Sequence, residues 1–137
     1  MQSKSEQFTE SNEGYRQFTY LCPAQKWTVG IGFNLDDVGL SHEESRVILK
    51  MRLRAIESQL SQLLHGYDAH NDARQAALAD MAYQMGVNGL LKFKRSLAYM
   101  AAIDYDSAAD EFLNSNWAKQ TPIRAKKVTE MIRTGEW

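Results

Sequence analysis

Residues 12–34 read NEGYRQFTYLCPAQKWTVGIGFN and hold three side chains that chemistry can use, Glu13, Cys22 and Thr28. A carboxyl drawn partly out of water has its pKa raised, so Glu13 can keep its proton near neutrality and deliver it as a general acid. The Thr28 hydroxyl can hold a water. Cys22 can orient that water, act as a thiolate nucleophile, or simply fill space as a small apolar side chain. A free thiol ionises near pH 8.5, about a unit and a half above neutrality, so it is mostly uncharged unless a neighbour lowers that value. Taken singly, each residue has a plainer reading: a helix-end glutamate, a strand threonine, a buried cysteine. The spacing alone leaves these alternatives open. The three histidines, His42, His65 and His70, lack metal-ligand spacing and are expected on the surface, near helix ends or in loops.

The elements that position these groups follow from periodicity. Residues 3–12 predict a short helix ended by Gly14. Phe18 and Tyr20 alternate with polar neighbours, CPAQK supplies a turn, and Trp27, Val29, Ile31 and Phe33 alternate again, which predicts a β-hairpin or small sheet. The glycines inside the second run, Gly30 and Gly32, predict a bend or a close backbone approach. NLDDVG reads as a loop closing this region. Ser41 to Glu44 form a capping box that opens a long helix, with Val47, Ile48, Met51, Ala55, Ile56, Leu60, Leu63 and Leu64 on one face. HGYDAHND breaks it. A second helix runs from Ala73 to Met85 and ends at Gly86. A third passes through Phe93, Leu97 and Met100, and a fourth through Ala108, Ala109 and Phe112 to about Trp117. Thr121-Pro122 reads as a capping hydroxyl followed by proline at the first helical position, and Gly135 as the closing C-cap. The expected architecture is α+β, mostly α: one domain over 1–137, with a β-lobe at about 14–40 and a helical lobe from 1–13 and 41–137. A substrate cleft is expected between the lobes.

Composition narrows the function classes. The chain has 137 residues, 44% hydrophobic and 24% charged, and a single cysteine, so no internal disulfide framework exists. A net charge of -1 gives no global field for nucleic acid. The charge is unevenly spread, however. Between Asn116 and Trp137, Lys119, Arg124, Lys126, Lys127 and Arg133 are set against only Glu130 and Glu136, and Lys92, Lys94 and Arg95 cluster without an acid. Each base alone is a solvated helix residue; together they suit an anionic polymer. The polar start is unlike a signal peptide and no apolar run reaches spanning length, so no membrane insertion is predicted. If the protein works outside a cytoplasm, something else delivers it or a leader has been removed.

Glu13, Cys22 and Thr28, followed by TVGIGFN, resemble the Glu–Asp/Cys–Thr pattern of phage-type lysozymes and endolysins, the T-even phage lysozyme family, glycoside hydrolase family 24. The resemblance continues through ARQAALADMAYQMGVNGLLKFKRSL and closes in NWAKQTPIRAKKVTEMIRTGEW, so it covers about Glu13 to Trp137. Three motifs in order carry far more weight than one. The resemblance implies a lysozyme-like fold and a muramidase that cleaves the β-1,4 bond between N-acetylmuramic acid and N-acetylglucosamine in peptidoglycan glycan strands, for wall lysis or penetration by a phage. It implies no metal and no organic cofactor. Glu13 matches the catalytic acid, Cys22 the position usually held by aspartate, and Thr28 a water-placing threonine. Arg124 matches an arginine that pairs with that glutamate. Asn34, Tyr83, Ser96 and Glu111 match saccharide-contact positions, with Gln84 beside them. Phe33 replaces a histidine frequent in the family, and Glu111 stands where a neutral amide is found in the family's best-known member. The implied state is a monomer or a domain of a larger virion protein. Two rivals remain at this stage: a lytic transglycosylase that uses Glu13 alone, and a non-catalytic peptidoglycan-binding module.

Overall fold

A computed structural model describes residues 1–137. In chain order the elements are α1 (Lys4–Glu13), β1 (Arg16–Leu21), β2 (Trp27–Gly30), β3 (Phe33–Asn34), α2 (His42–Leu63), α3 (Asp72–Met85), α4 (Val87–Leu91), α5 (Lys94–Ala101), α6 (Tyr105–Leu113), α7 (Asn116–Gln120) and α8 (Pro122–Thr134), with a short 3-10 turn at Tyr67–Ala69. The fold class is α+β and mostly helical, with one small antiparallel sheet near the N-terminus. The chain forms two compact units, Met1–Ile48 and Leu49–Trp137, and the boundary falls inside α2.

In residues 1–48, Ser3 and Glu6 form a capping box that starts α1, and Gly14 ends it at φ 73° with its N–H donating to Glu10 O. The sheet order is β1-β2-β3, with Tyr20 paired to Thr28, Leu21 to Trp27, and Thr28 to Asn34. The alternating run 27–34 is two strands rather than one. Gly30 and Gly32 both take positive φ (66° and 65°), so the chain reverses at Ile31-Gly32 and Phe33 comes back beside Val29. The capping box at Ser41 and Glu44 is present in both directions, at 3.0 and 2.9 Å.

Residues 49–137 are built around α3, whose buried face is Ala73, Ala77, Leu78, Ala79, Met81 and Ala82. These small side chains let α8 approach closely, and Ala125, Val128 and Ile132 fill the seam. Phe112 is fully buried, its ring 5.4 Å from Phe93 and 6.5 Å from Trp117. Burying such a side chain contributes roughly 1.5–3 kcal/mol. The apolar stripe of α2 meets this core only at its end: Leu60 is buried and Ile56 and Leu64 pack beside it, while Val47, Met51 and Leu63 stay exposed.

Two predicted boundaries shift. The helix expected to run to Trp117 stops at Leu113, because Ser115 caps a separate α7 by accepting from Ala118 N. Thr121 does not cap α8. Its hydroxyl donates back to Trp117 O at 2.9 Å, and Pro122 alone marks the start.

Candidate active site

Glu13 is the last residue of α1, and the left-handed Gly14 after it turns the chain directly into β1. Its side chain is exposed, not partly buried as the sequence suggests. The carboxyl nevertheless has a fixed neighbour. A Cβ placed on Gly32 would stand 2.7 Å from Glu13 Cδ, so the β2–β3 reversal passes directly beneath the acid. Gly32 is thus a site residue that was not assigned from the sequence; the signal available was an interior glycine in a period-two run.

Cys22 and Thr28 come together across the β1–β2 turn. Cys22 N donates to Lys26 O at 2.9 Å and Gln25 N to Cys22 O at 2.8 Å, closing the CPAQK turn with Gln25 at φ 63°. The thiol is partly exposed. The Lys26 backbone amide holds it below its ordinary value; partial desolvation acts the other way, and the Ala24 amide and the Thr28 hydroxyl add to the lowering. Thr28 is 3% exposed and its Oγ1 donates to Lys26 O at 2.9 Å. That leaves the oxygen lone pairs free to accept from a water. The arrangement suits water placement next to a thiol that ionises more readily than usual.

Asn34 lies beside Thr28 in register, but its amide is already in use. Oδ1 accepts from the amides of Asp36 and Asp37 at 3.1 and 2.9 Å, and Nδ2 donates to Asp37. Asn34 therefore shapes the loop after β3.

The remaining candidates lie in residues 49–137. Tyr83 is exposed on α3. Gln84 Oε1 accepts from Trp117 Nε1 at 2.9 Å, which orients its amide. Ser96 and Glu111 share the wall of one pocket of about 210 Å³ with Lys92, Lys94 and Asn114. Ser96 is buried there, and Glu111 pairs with Arg95 at 3.2 Å. Arg124 is held by Asp80, with Nε and Nη2 each 2.9 Å from one carboxylate oxygen. Those bonds push the guanidinium pKa further up. Asp80 is a second residue that the sequence reading passed over; an aspartate on a mostly apolar helix face gives no sign of its partner.

His70 corrects another expectation. It is buried, with Nδ1 2.9 Å from the Tyr105 hydroxyl, because the turn before α3 folds it inward. No helix is long and apolar enough to cross a membrane.

The sequence model of the phage lysozyme family matches residues 10–133. The chain is 38% identical over 89 residues to probable T4-type lysozyme 1 of Dictyostelium discoideum, covering 64% of this chain and 51% of that protein. It is 38% identical over 78 residues to probable T4-type lysozyme 2 of the same organism, covering 57% and 44%. It is 45% identical over 69 residues to the pre-baseplate central spike protein Gp5 of Enterobacteria phage T4, covering 50% of this chain and 12% of that one. The chain thus spans about half the length, or less, of these relatives.

Proposed function

The chain belongs to the phage lysozyme family, and from that premise we propose that it degrades peptidoglycan as a glycoside hydrolase. The bond attacked is the β-1,4 link between N-acetylmuramic acid and N-acetylglucosamine. Glu13 protonates the leaving oxygen, and Thr28 with Cys22 places the water or attacks the anomeric carbon. Arg124 is a supporting cation, and Asn34, Tyr83, Gln84, Ser96 and Glu111 serve the sugar chain.

The observation that best supports this reading is the grouping in residues 1–48. The Thr28 hydroxyl and the Cys22 amide both donate to Lys26 O, and Gly32 lies against the Glu13 carboxyl. A thiol held below its ordinary value reaches the thiolate form more readily than a free cysteine, and a thiolate is the form that could replace an aspartate's charge at an oxocarbenium-like transition state. A second reading is favoured by one fact: the position opposite Glu13 in the family pattern holds a thiol and no carboxylate. A lytic transglycosylase needs only the glutamate, because a sugar hydroxyl is the internal nucleophile.

One relative is named as a central spike protein of a phage, which supports placement in a virion assembly acting on the bacterial wall. Digestion of purified peptidoglycan, followed by mass analysis of the sugar ends, separates these readings. Reducing ends are expected. Anhydro ends would identify a transglycosylase, and intact glycan would leave a binding module.

A further inference from the structure

His70 ends the turn that leads into α3 and is 6% exposed. Its Nδ1 meets the hydroxyl of Tyr105, the first residue of α6, at 2.9 Å, and the two rings stand edge-on with centroids 5.6 Å apart. The Arg74 guanidinium carbon sits 3.6 Å from the centroid of the same Tyr105 ring. Arg74 in turn donates to Ile132 O at 2.7 Å and Arg133 O at 3.2 Å, and Asn71 donates to Gly135 O at 2.8 Å. Imidazole, phenol and guanidinium therefore tie three segments together: the turn before α3, the start of α6 and the end of α8.

The neutral ring suits this place and the charged ring does not. Only Nδ1 has a protein partner, Nε2 keeps contact with solvent, and the rest of the ring forms part of the wall of a cavity of about 310 Å³ lined chiefly by Leu64, Leu78, Leu97 and Met100. The titratable and charged groups around His70 are Arg74 of α3, Tyr105 of α6, His65 and Tyr67 of the preceding segment, and Lys94 of α5 on the cavity wall. None is an acid at neutral pH, and burial pushes the Tyr67 hydroxyl up to about 12. Asp106 and Asp110 of α6 are turned toward Arg133, Asp68 accepts from Ser61, Asp104 caps α6 by accepting from Ser107 N, and Asp72 opens α3 two residues after His70. A charged His70 would thus stand against the Tyr105 ring and the apolar cavity wall, beside the Arg74 cation that shares that ring. Burial first, and then Arg74, hold the imidazole below its ordinary value.

We propose that His70, Tyr105 and Arg74 form an acid-released latch, in which protonation of the imidazole opens the seam joining the turn before α3 to α6 and α8. The unfolded chain takes up the histidine proton near pH 6.5, and the folded chain only below it. The latch is whole above that pH, and its stabilisation is lost as the pH falls through the unfolded value toward the lowered folded one. Since α6 carries Glu111 and α8 carries Arg124, release loosens the helices that bear two of the candidate site residues.

The test melts the parent and His70→Gln at about pH 7.5 and about pH 5, a range that spans histidine titration. Glutamine keeps hydrogen-bonding capacity without titrating. The parent Tm should fall by several degrees more than that of the variant. In an NMR titration of the parent, the His70 ring should titrate below the exposed His42 and His65. Amide exchange in acid should rise first in residues 64–71 and at the start of α6. Equal pH dependence of Tm in the two proteins, or a His70 ring that titrates at or above the exposed ones, overturns the latch. The ring titration decides the matter if His70→Gln does not fold.

Discussion

Residues 1–48 and 49–137 hold their side chains in different ways. Thr28 is the only buried side chain of the first 48 residues, whereas the rest of the chain has a continuous core from Leu60 to Ile132. In the first unit, position comes from turns: Gly14, Gln25, Gly30 and Gly32 take positive φ, and short hydrogen bonds close the hairpins. In the second it comes from packing around α3. The difference implies that the proposed reacting groups tolerate substitution without unfolding, while damage to the core acts on stability first.

The largest effects should divide along that line. Glu13→Gln is expected to lower turnover on peptidoglycan by ~10²–10⁴-fold, the usual contribution of a general acid, with Tm unchanged because the side chain is exposed. Phe112→Ala should do the reverse. Deleting that fully buried ring costs about 3–5 kcal/mol in a denaturant titration, and activity should survive in whatever fraction stays folded. A Glu13→Gln variant within a few-fold of the parent rate would remove the acid from the mechanism.

Gly32→Ala tests whether turn geometry sets the acid. The residue has φ 65°, where a side chain costs roughly 1–2 kcal/mol, and its new Cβ would strike the Glu13 carboxyl. Activity should fall by more than the loss of folded protein explains. If rate and folded fraction decline together, the contact with Glu13 has no bearing on chemistry.

Legibility in the sequence followed the same division. Local signals were read correctly wherever one residue decides the backbone: Ser41 with Glu44, Gly14, Gly86 and Gly135 all end or start helices as expected. The signals that failed had a second partner available. Thr121 looked like a cap, yet its hydroxyl found Trp117 O in the preceding helix. In the run 27–34, by contrast, Gly30 and Gly32 did announce the bend, which is the reversal between β2 and β3. The burial of His70 depends on Tyr105, thirty-five residues away, and no local pattern announces it. The site was legible chiefly as a resemblance. Glu13, Cys22 and Thr28 are ordinary residues one by one, and their spacing becomes informative only with the motifs that follow. Gly32 announced a close approach without naming its partner, and Asp80 carries information only once the chain is folded.

Cys22 should show an intermediate effect. Because the Lys26 amide holds its thiol below the ordinary value, alkylation should set in at lower pH than for an unstructured cysteine peptide. Cys22→Asp should keep or raise hydrolysis. Cys22→Ala should slow a hydrolase, which loses both water placement and charge, and leave a transglycosylase nearly unaffected. If Cys22→Asp unfolds the protein while Cys22→Ala stays fully active, the residue belongs to the turn and not to the chemistry.

The smallest expected effect lies at Arg95 and Glu111, where the packed unit presents a charge pair on its surface. Arg95 is 78% exposed and reaches Glu111 at 3.2 Å, so the pair contributes at most ~1 kcal/mol to stability, and Arg95→Ala should barely move Tm. Its effect on substrate is separable from that. Glu111 is mostly covered and shares a pocket wall with Ser96, so removing Arg95 frees a carboxylate to accept from a sugar hydroxyl. Glu111→Gln changes the same position to a neutral amide. Each substitution should shift KM for soluble wall oligosaccharides by a few-fold, since ~1 kcal/mol corresponds to about five-fold in binding, with kcat nearly constant. A shift in kcat with KM unchanged would mean that Glu111 acts on the reacting bond and not on the sugar chain. Identical constants for the parent and both variants would place the saccharide elsewhere, and the pocket at Ser96 would then be only a feature of the packed unit.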